Sequence, residues 1–253
     1  MAPGSTAVYV YGIVPADVET EPHATGVGDP PSEVTVVRHG AIAALVSTLE
    51  SDRPLGTPQD LTAHEKLLDG SAAVSPVLPL RFGAVMTDTE AVENELLEAN
   101  EDEFRAALEE LEGRVQFVIR GRYIEDVILR ELLDESAEAA QLRDEIRDKP
   151  EDATRDARIA LGELINHAIE AKRAEDTGKV VSELEKLEAL VNQREPSHEE
   201  DAVHLAVLVE TTRRKELEDI VRRLIADWDG RAELNLLGPM AAYDFVTKRA
   251  PEG

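Results

Sequence analysis

The fold of the N-terminal half follows from one stretch, Ala7-Val8-Tyr9-Val10-Tyr11-Gly12-Ile13-Val14. This stretch is rich in β-branched and aromatic residues and Pro15 closes it, so it predicts a buried strand. Two further apolar runs, Val34–Val37 and Ile42–Val46, lie on either side of a short turn that contains Gly40. That arrangement predicts a β-hairpin. The residues between the first strand and the hairpin, 17–32, are rich in proline, glycine and acids and predict a loop.

Two helices follow the hairpin, and each begins with a capping sequence. The first starts at Thr57-Pro58-Gln59-Asp60 and runs to about Gly70. The second starts at Thr87-Asp88-Thr89-Glu90 and ends at Gly113. Residues 74–85, between the two helices, are apolar but contain two prolines, which favours an edge strand or a kinked extended segment.

One more strand, Val115–Ile119, completes the first half. The order of elements approximates the βαββαβ plan of a ferredoxin-like domain, with an extra hairpin strand or with the first loop displaced. We expect this N-terminal domain, an antiparallel sheet with helices, to span residues 1–121.

The second half is dominated by helix. Residues 123–194 predict helix almost throughout, with a break at Pro150 and a second stretch from 151 to 193. Residues 203–209 predict a strand, after which Thr211 or Thr212 caps a helix that ends near Gly230.

Leu234–Leu237 predicts the last clear strand, Gly238-Pro239 a turn, and residues 243–246 a short strand or a docked tail. We therefore expect a C-terminal α+β domain with long helices and a small antiparallel sheet over residues 122–253, with residues 238–253 as its tail. The fold class is α+β in two domains.

The composition excludes several kinds of protein. The 253 residues include 53 acidic and 27 basic side chains, so the formal net charge is −26. This charge disfavours binding to nucleic acids and to anionic membranes. Without cysteine there is no disulfide framework, thiolate nucleophile or cysteine-based metal site. Met1–Thr6 lacks the features of a signal peptide and no uncharged apolar run approaches the roughly 20 residues of a membrane span, so we expect a cytoplasmic protein.

Much of the negative charge is concentrated in the helix from Asp88 to Glu112, which carries roughly ten net negative charges. Such a block is either a docking face for a basic partner or the solvated outer face of a helix in an acidic protein.

The search for catalytic chemistry is largely negative. The chain has no phosphate-binding loop, dinucleotide fingerprint, nucleophile elbow or H-E-x-x-H motif. Glu163 and His167 lie one helical turn apart, and His198 and His204 flank three acids. Both pairs are more typical of solvated residues than of metal ligands, and His64 is more typical of a packed or capped histidine than of a base. We therefore predict no catalytic, cofactor-binding or metal-binding residue.

The most specific local string is Pro76-Val77-Leu78-Pro79-Leu80-Arg81-Phe82-Gly83. Arg81 stands inside an apolar run, where burial would be costly without a partner. Arg81 either anchors a partner or an inter-domain ion pair, or lies on the outer face of an edge strand and bridges a local acid. An edge strand would also offer unpaired backbone groups for strand addition by a partner.

Taken together, four features make the chain resemble the GvpF/GvpL family of gas vesicle proteins. They are the first strand, the His64-Glu65 helix, the Ser75–Gly83 string, and the terminal Leu237-Gly238-Pro239-Met240-Ala241-Ala242-Tyr243-Asp244-Phe245-Val246. The order and spacing cover nearly the whole chain, and Leu-Pro-Leu-Arg-Phe-Gly is the specific part. The family usually has more proline where this chain has Ala241-Ala242.

The resemblance implies a two-domain, non-enzymatic accessory or minor structural protein of gas vesicles, associated with those organelles in the cytoplasm. It would help to assemble the shell by contacting the small hydrophobic main shell protein or other accessory proteins. Candidate interface residues come from the two strings: Pro79, Leu80, Arg81, Phe82, Gly83, Gly238, Pro239, Tyr243 and Phe245. The oligomeric state stays open. Two other functions stay open as alternatives, a ferredoxin-like ligand-sensing regulatory module and a metal-dependent enzyme.

Overall fold

The computed structural model describes residues 6–50 and 54–246. It confirms an α+β fold with antiparallel sheets. By their contacts, the described residues form two compact units. The first contains the chain through Gln116, Glu210–Thr212 and the residues from Gly238 onward; the second contains Phe117–Val209 and Arg213–Leu237. The expected domain boundary after residue 121 stays a prediction, but the described part of the tail groups with the first unit rather than with the C-terminal one.

The first unit is built on a six-stranded sheet in which the first strand is central. The order is β2-β3-β4-β1-β5, and β6 also pairs with β1. Residues 8–14 of the first strand are buried throughout, as predicted. The strands are β1 (Thr6–Pro15), β2 (Thr25–Gly28), β3 (Pro31–His39), β4 (Ile42–Glu50), β5 (Leu78–Pro79) and β6 (Val85–Met86).

The predicted hairpin is confirmed as β3–β4, with His39 opposite Ile42. The predicted loop 17–32 is wrong in part, because it contains β2. No local pattern marks this strand, since it depends on a distant side chain: the backbone N–H of Val27 donates to the hydroxyl of Tyr11 at 2.7 Å.

Helix α1 (Pro58–Ala72) is confirmed with its capping box, because Thr57 Oγ1 accepts from the N–H of Asp60 and the Asp60 side chain accepts from the N–H of Thr57. The acidic helix consists of α2 (Thr89–Ala91), a π-helical segment (Val92–Glu98) and α3 (Ala99–Leu111). Its N-cap is Asp88 rather than Thr87, and the π-helical segment was not predicted. Buried Phe104, Leu108 and Leu111 line one face of α3, while most of its acids are exposed, as expected of a solvated outer face.

The second sheet has the order β10-β7-β9-β8. Its strands are β7 (Arg114–Tyr123), β8 (Leu190–Gln193), β9 (Asp201–Glu210) and β10 (Ala232–Met240). The helical elements of this half are α4 (Glu125–Glu135), α5 (Ala137–Ile146), a 3-10 turn (Glu151–Ala153), α6 (Arg155–Glu185), a second 3-10 turn (Thr211–Arg213), α7 (Arg214–Asp227) and α8 (Tyr243–Val246).

Three local predictions in this region are wrong, and a fourth is confirmed only in part. The strand predicted at Val115–Ile119 forms, but it belongs to the second sheet, where β7-α-β8-β9-α7-β10 completes a βαββαβ order. The helix predicted to run to Gln193 ends at Glu185, because residues 190–193 pair with β9. Gly238-Pro239 lies within β10 instead of forming a turn. Thr211 does not cap α7; its hydroxyl donates to the carbonyl of Gly113.

Across residues 6–50 and 54–246, no helix combines the length and the apolar character that crossing a bilayer requires.

Candidate functional site

The motif residues of the first unit meet around two buried tyrosines of β1. Tyr9 and Tyr11 are fully buried, and their ring centroids lie 4.8 Å apart. The hydroxyl of Tyr11 hydrogen-bonds Ser47 Oγ at 2.8 Å, besides accepting from Val27. Burial is the main reason that the pKa of Tyr9 rises to about 12, and it also raises the pKa of Tyr11. Both phenols are therefore neutral hydrogen-bonding groups in a dry site.

Helix α1 brings His64 into the same cluster. Its Nδ1 lies 2.9 Å from the hydroxyl of Tyr9, and its ring stacks at 5.8 Å from that of Tyr11. The side chain is only 2% exposed. Burial lowers the pKa of His64, and the backbone of Leu80 opposes that shift more weakly. His64 is thus a packed, neutral histidine, as the sequence indicated.

The Leu78–Gly83 string closes over this cluster. Strand β5 pairs with β1 through Gly12 opposite Pro79, and a side chain at Gly12 would collide with the carbonyl oxygen of Leu78. The N–H of Gly83, which has φ +92°, donates to the Tyr9 hydroxyl at 3.1 Å. The Phe82 ring meets His64 edge-on, with centroids 5.6 Å apart. The string is therefore held to β1 by its backbone and to His64 by its ring.

The C-terminal string docks on the same cluster. The N–H of Ala241 donates to Asp69 Oδ1 of α1 at 2.9 Å, and the Tyr243 ring lies 6.5 Å from His64. Asp244 and Gln116 exchange two hydrogen bonds, one of them from the N–H of Asp244 to Gln116 Oε1 at 3.1 Å. Helix α8 also packs against β5. The segment after β10 is therefore a docked tail whose last described turn is helical.

The structure separates the predicted interface residues into two groups. Phe82 and Tyr243 both lie against His64, and Gly83 bonds Tyr9, so these three residues contact the buried cluster of the first unit. Of the remaining predicted residues, Arg81 and Gly238 are exposed, Pro79 is buried, and Leu80, Pro239 and Phe245 are half-buried.

Arg81 is exposed and makes no ion pair with any residue in 6–50 and 54–246. It therefore does not bridge a local acid among the described residues. Its guanidinium faces solvent, next to the cluster that Phe82 and Tyr243 complete.

Strand β5 lies at the edge of its sheet, as predicted. It is only two residues long, one of which is a proline without a backbone N–H, and α8 lies against it. These features argue against the addition of a partner's strand at β5.

Reasoning from sequence missed the cluster as a unit. Tyr9 and Tyr11 are two residues apart in a predicted strand, which places both on one face, and this was the available signal. Nothing local indicated that His64, Asp69 and Ser47 would meet those rings.

The possible metal ligands do not assemble. In the part of the chain that the structure describes, no group of three or more histidine, aspartate or glutamate side chains is arranged to hold a metal ion. Neither Glu163 with His167 nor His198 with His204 therefore supports a metal-dependent enzyme.

The geometry can be compared with known proteins. A family model described as "Gas vesicle synthesis protein GvpL/GvpF" matches residues 7–247. The chain belongs to the GvpL/GvpF family. The match includes both strings that meet at His64, so the family resemblance and the folded cluster involve the same residues.

Individual relatives agree with this assignment. Gas vesicle protein F of Streptomyces sp. (strain CB03234) is 30% identical over 244 residues, which are 95% of this chain and 99% of the relative. The crystal structure of gas vesicle protein GvpF from Anabaena sp. PCC7120 has a TM-score of 0.79 at 24% identity and covers 96% of this chain and 98% of that chain. The GvpF structure from Microcystis aeruginosa has a TM-score of 0.78 at 20% identity, with coverage of 95% and 98%. The two crystal structures show the likeness of fold.

Proposed function

We propose that this chain is a non-enzymatic accessory protein of gas vesicle assembly, which acts in the cytoplasm through contacts with the main shell protein or with other accessory proteins. The observation that carries the proposal is the family match over residues 7–247. The names of the relatives, gas vesicle protein F, point to the same organelle.

The arrangement of the first unit supports a role in binding. Several of its motif residues contact one another through hydrogen bonds and rings, whereas the side chain of Arg81 is exposed. Val85, just beyond the string, is 44% exposed. A charged side chain beside exposed apolar surface suits a protein contact.

A groove on the first unit has an exposed apolar residue at its edge. Its volume is about 380 Å³, and its lining includes Val74, which is 85% exposed, and the half-buried Pro76, with Ile42 and Leu108 buried beneath. Charged Arg105, Glu109 and Glu112 also line it. Apolar surface among charged residues would let an acidic protein hold a hydrophobic subunit dispersed before assembly.

Removal of the gene followed by electron microscopy tests the proposed function. We expect few or no gas vesicles in the deletion strain and their return when the wild-type gene is supplied. We also expect the main shell protein to copurify with the tagged wild-type chain. Normal vesicles in normal numbers, together with no copurification of any gas vesicle protein, would contradict the proposal.

A further inference from the structure

Strand β8 lies at an edge of the second sheet. The strand order is β10-β7-β9-β8, so among residues 6–50 and 54–246 β8 pairs with β9 on one side and with no strand on the other. The pairing is antiparallel, with Asn192 opposite Ala206 and Gln193 opposite Leu205. The outer side of β8 is therefore a place where a further strand could join this sheet.

The β8–β9 pairing determines which backbone groups of β8 point outward. Just after β8, the N–H of Arg194 donates to the carbonyl of His204 at 2.9 Å, so these two opposed residues form a hydrogen-bonded pair. Hydrogen-bonded and non-hydrogen-bonded pairs alternate along an antiparallel ladder. The backbone of Asn192 therefore also bonds β9, whereas the N–H and carbonyl groups of Val191 and Gln193 point away from it.

The outward groups of these two residues have no partner in the part of the chain that the structure describes. Neither Val191 nor Gln193 takes part in a backbone hydrogen bond outside the β8–β9 ladder or in a bond with a side chain. Gln193 is exposed and Val191 is half-buried. Unpaired backbone groups in an extended strand are a template for an added strand, which gains main-chain hydrogen bonds.

The side chains of β8 do not protect this edge. Native proteins commonly place charges or proline on an exposed edge strand. Residues 189–193, Ala-Leu-Val-Asn-Gln, contain neither, although 32% of the chain is charged. Leu190 is also 49% exposed. Because β8 has only four residues, a contact made through it alone is weak and reversible.

We propose that β8 is a self-association edge, at which β8 of a second copy adds antiparallel and joins the two second sheets into one. A two-fold axis at Val191 brings its N–H and carbonyl to those of Val191 in the second copy. The same register places Gln193 opposite Ala189 and Leu190 opposite Asn192. This stretch therefore meets its own copy without bringing charged residues face to face. The inference stands on the geometry of the second sheet and does not depend on the proposed function.

The charge of the chain favours a second copy at this edge over a foreign segment. Two chains of net charge −26 repel each other, so they can associate only through a surface of low charge such as β8. A two-fold contact uses the same patch on both copies, and β8 supplies a strand of equal length and neutral side chains. A basic segment of another protein would instead be attracted by the acidic chain, and its binding would weaken in salt. Salt should strengthen self-association, because it screens the repulsion between two acidic copies.

Sedimentation velocity of the full chain tests the proposal. We expect monomers at about 20 μM and a dimer that grows toward about 1 mM. The dissociation constant of the dimer should be at least threefold lower in 0.5 M NaCl than in 0.05 M NaCl.

Amide hydrogen exchange followed by nuclear magnetic resonance locates the contact. The N–H groups of Val191 and Gln193 should exchange at least twofold more slowly at the high protein concentration than at the low one. The N–H of Asn192, which bonds β9 in the monomer, should exchange at the same rate at both concentrations.

Two leucines with similar exposure provide a matched pair of substitutions. Leu190 is 49% exposed and Leu237, on β10, is 48% exposed. Leu190→Glu places a negative charge beside the axis in each copy and should weaken the dimer at least tenfold. Leu237→Glu adds the same charge to the chain and should weaken it less than twofold. Both variants should melt like the wild type, because both side chains are half exposed.

Several results would overturn the proposal. They are a chain that stays monomeric at about 1 mM, a dimer that weakens in salt, and a dimer in which Val191 and Gln193 exchange as fast as in the monomer. Equal weakening by Leu190→Glu and Leu237→Glu would overturn it too. If the chain alone stays monomeric but another gas vesicle protein slows these amides, β8 accepts a foreign strand and self-association is wrong.

Discussion

The two units each bury a tyrosine hydroxyl against a titratable partner, but they use different chemistry. In the first unit Tyr9 bonds neutral His64, and two motif strings close around the pair with backbone bonds and rings. In the second unit Tyr123 bonds the buried carboxylate of Asp176, which also accepts from Arg231 at 2.8 Å.

The ionic network of the second unit continues through Arg231. Its guanidinium bonds Glu131 through Nε at 2.8 Å, and Lys172 reaches the same carboxylate at 2.8 Å. Hydrogen bonding from Arg231 is the main reason that the pKa of Glu131 falls to about 2. The comparison shows that the motif strings meet around a neutral Tyr9–His64 pair, whereas the second unit buries an ionic network.

The largest expected effect comes from removing one partner of the buried ionic network. Arg231→Met leaves Asp176, which is 1% exposed, without its strongest cation, and should destabilise the second unit by about 3–5 kcal/mol. Urea unfolding followed by the fluorescence of Trp228, the chain's single tryptophan, reads this unit directly. Arg222→Met, on the exposed side of α7, serves as the control and should change stability by less than about 0.5 kcal/mol. Equal loss in both variants would contradict the claim that the second unit depends on its buried ionic network.

The next largest effect concerns the hydrogen bonds of the Tyr9 hydroxyl in the first unit. Tyr9→Phe keeps the ring but leaves the N–H of Gly83 and Nδ1 of His64 without their shared partner, so we expect a loss of about 1–3 kcal/mol. Hydrogen exchange should show the earliest opening in β5 and the tail. Unchanged exchange there would show that the strings are held by other contacts.

A pH series sharpens the comparison, because the two units should respond in different ranges. Since burial lowers the pKa of His64 in the folded state, protonation favours the unfolded chain, and stability falls as the pH drops below about 6.5. Glu131 contributes stability above its ordinary pKa of 4.5, which is lost as the pH falls toward about 2. His64→Gln should flatten the profile below about pH 6.5 and leave the acid limb set by Glu131 in place. An identical slope in the variant would contradict this account of His64.

The smallest effect tests how α1 presents His64. Thr57→Ala removes half of the capping box and should cost about 1 kcal/mol of stability. Thr62→Ala, on the exposed side of the same helix, removes a hydroxyl that donates to the carbonyl of Pro58 and is the matched control. We expect a lower melting temperature for Thr57→Ala than for Thr62→Ala. The reverse order would show that the capping box does not stabilise α1.

Local patterns predicted what local forces decide. The burial of β1, the β3–β4 hairpin and the capping of α1 follow from a run of β-branched and aromatic residues, a glycine turn and a capping box. The structure confirms all three. The sequence did not predict strand β8, because Leu184, Leu187 and Val191 fit a helical spacing. Residues 190–193 are extended because they pair with β9.

The candidate site was only half predictable for the same reason. The strings containing Phe82 and Tyr243 were identified from their residues. Their meeting at His64 depends on contacts between segments far apart in the chain, such as the bond from Ala241 to Asp69.

The central claim is that the Phe82 ring stabilises the first unit, whereas the exposed Arg81 binds a partner. Substitution of these two neighbouring residues gives the most direct test. Tagged wild-type, Arg81→Ala and Phe82→Ala chains are compared for melting temperature and for copurification of the main gas vesicle shell protein. We predict that Arg81→Ala melts like the wild type but captures clearly less shell protein, whereas Phe82→Ala melts at a lower temperature. Full capture of the shell protein by Arg81→Ala, or a lowered melting temperature in that variant, would contradict the claim.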